Sequence, residues 1–173
     1  MLAELTLKAF IDKVISNDPV PGGGSVSALN GALAASLAAM VANLTVGRKK
    51  YVEVNDLMQE LAGRLEKTAG RLLTDVDRDS DAYNRVFAAF KLPKETDEEK
   101  AARSEAIQRE TKYAAEVPME VARAVHDILP QIATVAQRGN SNAVTDACVA
   151  MMCARTAVLG ALLNVKINLS SIK

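Results

Sequence analysis

Between Pro19 and Gly47 the chain carries no charged residue, and Val26 to Val46 is built mostly from alanine and other small apolar side chains. A segment that is apolar on every side is either the centre of a helical bundle or a membrane span. Its composition favours the bundle, because Gly22 to Gly24, Asn30, Asn43 and several hydroxyls oppose insertion into lipid. Gly31 and Ala35, one turn apart, with Ala28, Ala32 and Ala39, let neighbouring helices approach closely. Gly47 with the basic run Arg48-Lys49-Lys50 suits the C-terminal end of that helix. The segment is entered through Pro21-Gly22-Gly23-Gly24-Ser25. Consecutive glycines permit positive φ and close backbone approach, and a helix start adds unpaired N–H donors. Locally this leaves two readings, a cradle for an anion or polar ligand and a tight interhelical turn with Ser25 as N-cap.

The rest of the chain shows helical periodicity and almost no strand alternation, which predicts an all-α, single-domain bundle of long antiparallel helices spanning 1–173, with two apolar central helices. A first amphipathic helix is expected over Leu2 to Ile15, ended by Asn17-Asp18-Pro19. Thr96-Asp97-Glu98-Glu99 has the form of a capping box, and Pro118 is expected to kink or restart the helix that follows. With 173 residues, 49% of them hydrophobic, one substantial core is available. Lys+Arg and Asp+Glu balance at 21 each, and aromatic residues make up 3%, which removes both the charge and the stacking surfaces of a nucleic-acid binder. Cys148 and Cys153 read as small apolar fillers in a reducing compartment, and His126, the only histidine, as a surface residue and not a metal ligand. No basic n-region followed by a short apolar core opens the sequence, so the expected location is cytoplasmic.

A third helix, expected over Val54 to Phe90, has a stripe regular enough to place side chains by angle. At about 100° per residue, Leu61, Leu65, Leu72, Val76, Tyr83 and Phe90 share a side with Asp79, while Asp77 and Asp81 point away. Asp79 thus stands mid-stripe, as either a buried general acid/base or a hydrogen-bonded polar residue in an imperfect stripe. Burial and the like charge of Asp75, one turn earlier, would both raise its pKa. Asp81 and Arg85 are spaced to pair on the outer face. In the last helix, expected over Ala143 to Leu169, the polar residues Asn142, Asp146, Asn164 and Asn168 fall on one line. Ala150, Cys153, Ala157 and Gly160 lie between them, forming a groove of small residues that either receives a flat heterocycle or seats a neighbouring helix.

These same segments resemble the cyclodeaminase domain of formiminotransferase-cyclodeaminase and the stand-alone methenyltetrahydrofolate cyclohydrolases. The resemblance is carried by Pro21-Gly22-Gly23-Gly24-Ser25-Val26, Met40-Val41-Ala42-Asn43-Leu44-Thr45 with Gly47-Arg48-Lys49, and Val76-Asp77-Arg78-Asp79. It continues through Leu92-Pro93-Lys94, Glu98-Glu99-Lys100, Gly139-Asn140 with Asp146, and Asn164 to Leu169. It implies a helical homodimer that acts on a tetrahydrofolate derivative, without a metal, a further cofactor, nucleic acid or a membrane. The chemistry implied is either closure of 5-formiminotetrahydrofolate to 5,10-methenyltetrahydrofolate with loss of ammonia, or hydrolysis of the methenyl form, with Asp79 as general acid/base. A noncatalytic helical dimerisation module is the alternative from another class. By chemistry laid over matching positions, Gly22, Gly23, Gly24 and Ser25 would hold substrate through backbone donors. Arg48, Lys49, Lys91 and Lys94 would meet the glutamate tail, and Asn140, Asn142, Asp146, Asn164 and Asn168 would read the pterin. The family usually continues with a further helix beyond the Asn-Leu stretch, so either a less stable fold or an exposed apolar patch that favours association is expected where this sequence ends at Lys173.

Overall fold

The computed structural model describes residues 1–172, with Lys173 outside the described residues. Among these residues there are five α-helices and no strand: α1 Leu7–Ile15, α2 Gly23–Asn43, α3 Asn55–Phe90, α4 Asp97–Arg138 and α5 Val144–Leu169. Short 3₁₀ turns at Leu2–Glu4, Lys49–Val54 and Ser141–Ala143 precede α1, α3 and α5. The expected first helix is thus broken at Leu5-Thr6, where the Thr6 hydroxyl accepts from the Ala9 N–H and caps α1.

The apolar helix α2 is the axis of the bundle, in contact with α3, α4 and α5. Ala28, Ala34, Ala35, Ala38, Val41 and Ala42 are completely buried, as expected of a helix with no polar side. Gly31 is required by packing: a Cβ there would stand 2.7 Å from Val125 of α4 and 3.2 Å from Leu72 of α3. Around this axis α3 buries Met58, Leu61, Leu65, Leu72 and Val76, and α4 buries Val121, Val125, Ile128, Ile132 and Val135. Towards its end the α3 stripe runs out of cover, since Tyr83 and Phe90 are exposed.

Two helix boundaries depart from expectation for physical reasons. Helix α4 runs unbroken through Pro118 and Pro130. An interior proline costs about 3 kcal/mol, but Pro118, Val117, Val121 and Ala122 are all buried, and this packing offsets the lost hydrogen bond. Helix α2 begins at Gly23, earlier than expected, with Gly22 as its N-cap and Ser25 inside the first turn. The Thr96 capping box forms as expected, with Glu99 N–H donating to Thr96 Oγ1 at 3.2 Å and the Thr96 N–H donating to the Glu99 carboxylate at the same distance.

The second apolar helix, α5, is buried on one side only. Ala147, Ala150, Ala154, Ala157 and Ala161 face the core, while Val149, Met152, Leu159, Leu163 and Ile167 face outward. Cys148 lies on that exposed side and is not a core filler; Cys153 is half-buried. By length and apolarity α2 and the Ser141–Leu169 segment are both able to cross a membrane, but the α2 window is mostly covered by protein and the α5 window mostly uncovered.

Candidate active site

The start of α2, the middle of α3 and the end of α5 meet around a pocket of about 310 Å³, lined by Gly22, Gly23, Gly24, Asp79, Tyr83, Asn164 and Asn168, with Val20 and Ala114 at its sides. The glycines serve by bareness. Among the described residues only Gly47, at φ +74°, is a glycine with positive φ, so left-handed geometry is not what Gly22–Gly24 supply. A Cβ on Gly24 would overlap the Asp79 carboxyl group, and one on Gly23 would press against Asn164 Nδ2 at 3.2 Å. Close approach of α2 to the polar groups of α3 and α5 therefore requires this sequence.

Ser25 is no N-cap. Fully buried in the first turn, it donates from Oγ to Asp79 Oδ2 at 2.9 Å and lies 3.1 Å from Ser80 Oγ. The first intrahelical bond of α2 is from the Val26 N–H to the Gly22 carbonyl; of the preceding N–H groups that of Ser25 turns to Asp79, and those of Gly23 and Gly24 are left for the pocket wall. Asp79 is half-buried. Burial pushes its pKa above the usual carboxylate range, and hydrogen bonds from the Ser25 side chain and backbone only partly oppose that rise. Asn164 donates from Nδ2 to the Gly160 carbonyl at 2.9 Å, and Asn168 from Nδ2 to the Ala114 carbonyl at 2.8 Å. Those bonds fix both amides and leave their Oδ1 atoms as acceptors.

The expected influence of Asp75 on Asp79 is absent. Asp75 is turned away, 1% exposed, and accepts from Arg78 Nη1 at 2.6 Å, with Arg71 Nε at 3.8 Å; both arginines also reach Glu120. Paired with guanidinium groups, it has no unscreened charge to project onto its neighbour. Nor does Asp81 pair with Arg85. Arg85 instead donates to Glu110 of α4 at 2.7 Å and lies over the Tyr113 ring, because α4 offers a partly buried partner where Asp81 offers only solvent.

The remaining sequence-predicted residues are elsewhere. Asp146 and Asn142 sit at the start of α5, so that Asp146 is about 27 Å along the axis from Asn164 at 1.5 Å per residue. The polar line is thus two separate poles. Between them Ala150 and Ala157 are fully buried against the core and leave no groove. Asn140 holds the chain together at the far pole: its N–H donates to Thr45 Oγ1 at 2.8 Å and its Nδ2 to the Leu44 carbonyl at 3.2 Å. Arg48 and Lys49 are exposed at that same pole. There the Tyr51 hydroxyl, hydrogen-bonded to the Ser141 side chain and backbone N–H and close to Lys50, has its pKa lowered to about 8. Lys91 lies over the Phe87 ring at 4.2 Å at the end of α3, and Lys94 is exposed beyond it; neither reaches the pocket. His126 is exposed beside Asp127, and among the described residues no group of three or more His, Cys, Asp and Glu is gathered to hold a metal.

The angular stripe already puts Tyr83 on the Asp79 side, although it gives Tyr83 no part in the site, and the structure places it in the pocket lining. Ser80, which reaches Asp79 only through Ser25, is not distinguished by anything in the sequence pattern.

A partly buried carboxyl with neutral partners, a helix N-terminus and two fixed amides sharing one pocket make a candidate site for proton-transfer chemistry. The chain belongs to the formiminotransferase-cyclodeaminase family, whose sequence profile matches residues 6–173. It is 42% identical over 171 residues to a methenyltetrahydrofolate cyclohydrolase of Methylorubrum extorquens, covering 97% of this chain and 81% of that protein. It is 37% identical over 168 residues to the rat formimidoyltransferase-cyclodeaminase, again covering 97% of this chain but only 31% of that longer one. The crystal structure of a formiminotetrahydrofolate cyclodeaminase from Thermotoga maritima superimposes with a TM-score of 0.88 at 32% identity, over all of this chain and 82% of the other.

Proposed function

We propose that the protein acts on the one-carbon unit between N5 and N10 of a tetrahydrofolate, with Asp79 moving the proton. The observation that carries this reading is the Asp79 carboxyl, its pKa raised by burial, at a pocket shared with the N-terminus of α2 and the amides of Asn164 and Asn168. A tetrahydropterin presents several N–H donors and one carbonyl. Asn164 Oδ1, Asn168 Oδ1 and Asp79 supply the acceptors, and the free N–H groups of the α2 first turn meet the carbonyl.

In the cyclodeaminase reading, N10 of 5-formiminotetrahydrofolate attacks the formimino carbon while ionised Asp79 accepts the N10 proton. The protonated carboxyl then gives that proton to the nitrogen that leaves as ammonia, and 5,10-methenyltetrahydrofolate forms. A raised pKa suits a group that must take and return a proton in one turnover, and the ionised carboxylate also stabilises the cationic carbon. The second reading, hydrolysis of the methenyl form to 10-formyltetrahydrofolate, is favoured by the 42% identity to the Methylorubrum cyclohydrolase over most of its length. It uses water at the same carbon and the same carboxyl as base. Neither route needs a metal or a cofactor beyond the folate.

A cytoplasmic homodimer completes the proposal. The outward side of α5 carries Met152, Leu159, Leu163 and Ile167, and the adjacent groove with Leu129, Met151 and Val158 is almost purely apolar. Two α5 helices packed antiparallel about their midpoints would bring the Arg48, Lys49, Asn142 and Asp146 pole of one protomer beside the Asp79 pocket of the other. That pairing would supply the cations for the glutamate tail that each pocket lacks.

The test is absorbance at the methenyltetrahydrofolate band with wild type and Asp79→Asn, offered formiminotetrahydrofolate or methenyltetrahydrofolate. A rising band with the first substrate, lost in Asp79→Asn, supports cyclodeamination. Faster decay of the second alone supports hydrolysis. No effect on either, with no folate binding, would leave the noncatalytic module. Light scattering should give a dimer that Met152→Glu dissociates; a clean wild-type monomer sinks the shared site.

A further inference from the structure

Ser25 and Ser80 are buried hydroxyl residues, 0% and 6% exposed. Their hydroxyls are 3.1 Å apart with either able to donate, and Ser25 Oγ continues to Asp79 Oδ2 at 2.9 Å. Ser80 also lines a second pocket, of about 370 Å³, between α3 and the N-terminal segment that includes α1. Asp77 and Asp81 of α3 and Lys13 of α1 line it as well. The Asp77 carboxylate there accepts the N–H groups of Leu2 and Ala3. Val20, just before α2, borders both pockets. Around Asp79 itself, α2 contributes Ser25, α4 Ala114 and α5 Asn164 and Asn168, none of them charged.

We propose that Ser25 and Ser80 form a proton relay connecting Asp79 to the second pocket. This rests on the folate reading, and it answers a need of one of its two reactions. When methenyltetrahydrofolate is hydrolysed, water forms a C–O bond, the C–N5 bond breaks, N5 retains one of the two water protons, and the other must leave. With the folate covering the front pocket, that proton rests on Asp79. It passes from the carboxyl to Ser25 Oγ as the Ser25 proton passes to Ser80 Oγ and the Ser80 proton to water in the second pocket. The serines end with one proton each, the carboxylate is restored and the solvent gains a proton. In cyclodeamination the N10 proton goes instead to the leaving nitrogen, and no proton has to be exported. Ser80 is therefore a positioning residue of the hydrolytic reaction and does not touch the substrate.

Methenyl hydrolysis by Ser80→Ala and Ser80→Thr, followed at low and high concentrations of imidazole, tests the relay. Ser80→Ala is expected to lower kcat about tenfold at low buffer, less than the 10²–10⁴-fold cost of losing the acid/base itself. KM should hold, imidazole should restore the rate, Ser80→Thr should stay near wild type, and cyclodeamination should lose less. Wild-type kcat in Ser80→Ala at every buffer concentration overturns the relay. So does an equal loss in both reactions that buffer does not restore, since that is the mark of a packing defect. A wild type that closes formiminotetrahydrofolate without hydrolysing the methenyl form has no proton to export, and the relay falls while the folate reading stands. A wild type inert on both folates defeats the folate reading before any variant is made, and the relay with it.

Discussion

Asp75 and Asp79 stand one turn apart on α3, both withdrawn from solvent, in opposite surroundings. Asp75 faces Arg78 and Arg71, which are tied in turn to Glu120. Burial disfavours the Arg78 charge, but hydrogen bonds to Asp75, Glu120 and Tyr113 outweigh it and raise the Arg78 pKa, so the guanidinium keeps its charge beside Asp75. Asp79 faces a hydroxyl, main-chain N–H and amides, and its pKa rises because no cation compensates its burial. A carboxylate given a guanidinium becomes a strut; one given only neutral donors remains able to exchange its proton.

That contrast is broken most severely at Asp79. Asp79→Asn should lower turnover by about 10²–10⁴-fold while raising the melting temperature near neutral pH. The sign follows from the raised pKa. Below the ordinary carboxylate value of about 3.9 the group is protonated in both folded and unfolded chains, and its burial costs nothing extra. As pH rises through the folded-state value the stability associated with the protonated form is lost. Thermal melts of wild type and Asp79→Asn should therefore coincide in acid and separate towards neutral pH, with the variant more stable; a wild type that melts higher at neutral pH contradicts the raised pKa.

Gly24→Ala places a methyl group on the Asp79 carboxyl, and should cost about 1–3 kcal/mol of stability and most of the activity by displacing the acid/base. Full activity in that variant would show that the close approach is dispensable. Asp75→Asn should reverse the Asp79 pattern: a loss of about 1–3 kcal/mol in chemical denaturation, held below the full cost of a buried pair by the partial exposure of Arg78, with turnover largely kept. A drop in turnover as large as that of Asp79→Asn would erase the distinction between the two carboxylates. Smallest is Thr96→Ala, remote from both, which removes the α4 cap at about 1 kcal/mol and should leave turnover alone.

Much of this was legible in the sequence, for reasons that can be assigned residue by residue. The stripe of α3 is a strong angular signal, and angle alone puts Asp79 among Leu72 and Val76. Thr96 and Glu99 act within four residues, so their capping box needs no tertiary information. Of the two outcomes expected at Pro118, a kink or a restart, the restart does not occur, because the burial that offsets its local effect comes from packing that the local sequence does not display. The polar line of α5 misled because angle about an axis says nothing of distance along it, and Asp146 and Asn164 share the first but not the second.

The sequence by itself determined the helical class, the central place of α2 and the position of Asp79 on the packed side of α3, since each depends on periodicity or on residue size within one segment. Only the tertiary structure decided that Asp75 is a strut, that Ser25 serves Asp79 and not the helix cap, and that the candidate polar residues divide between two poles. Those outcomes depend on which side chains from distant segments come within a hydrogen bond of one another. That is fixed by helix packing, to which spacing along a single helix is blind.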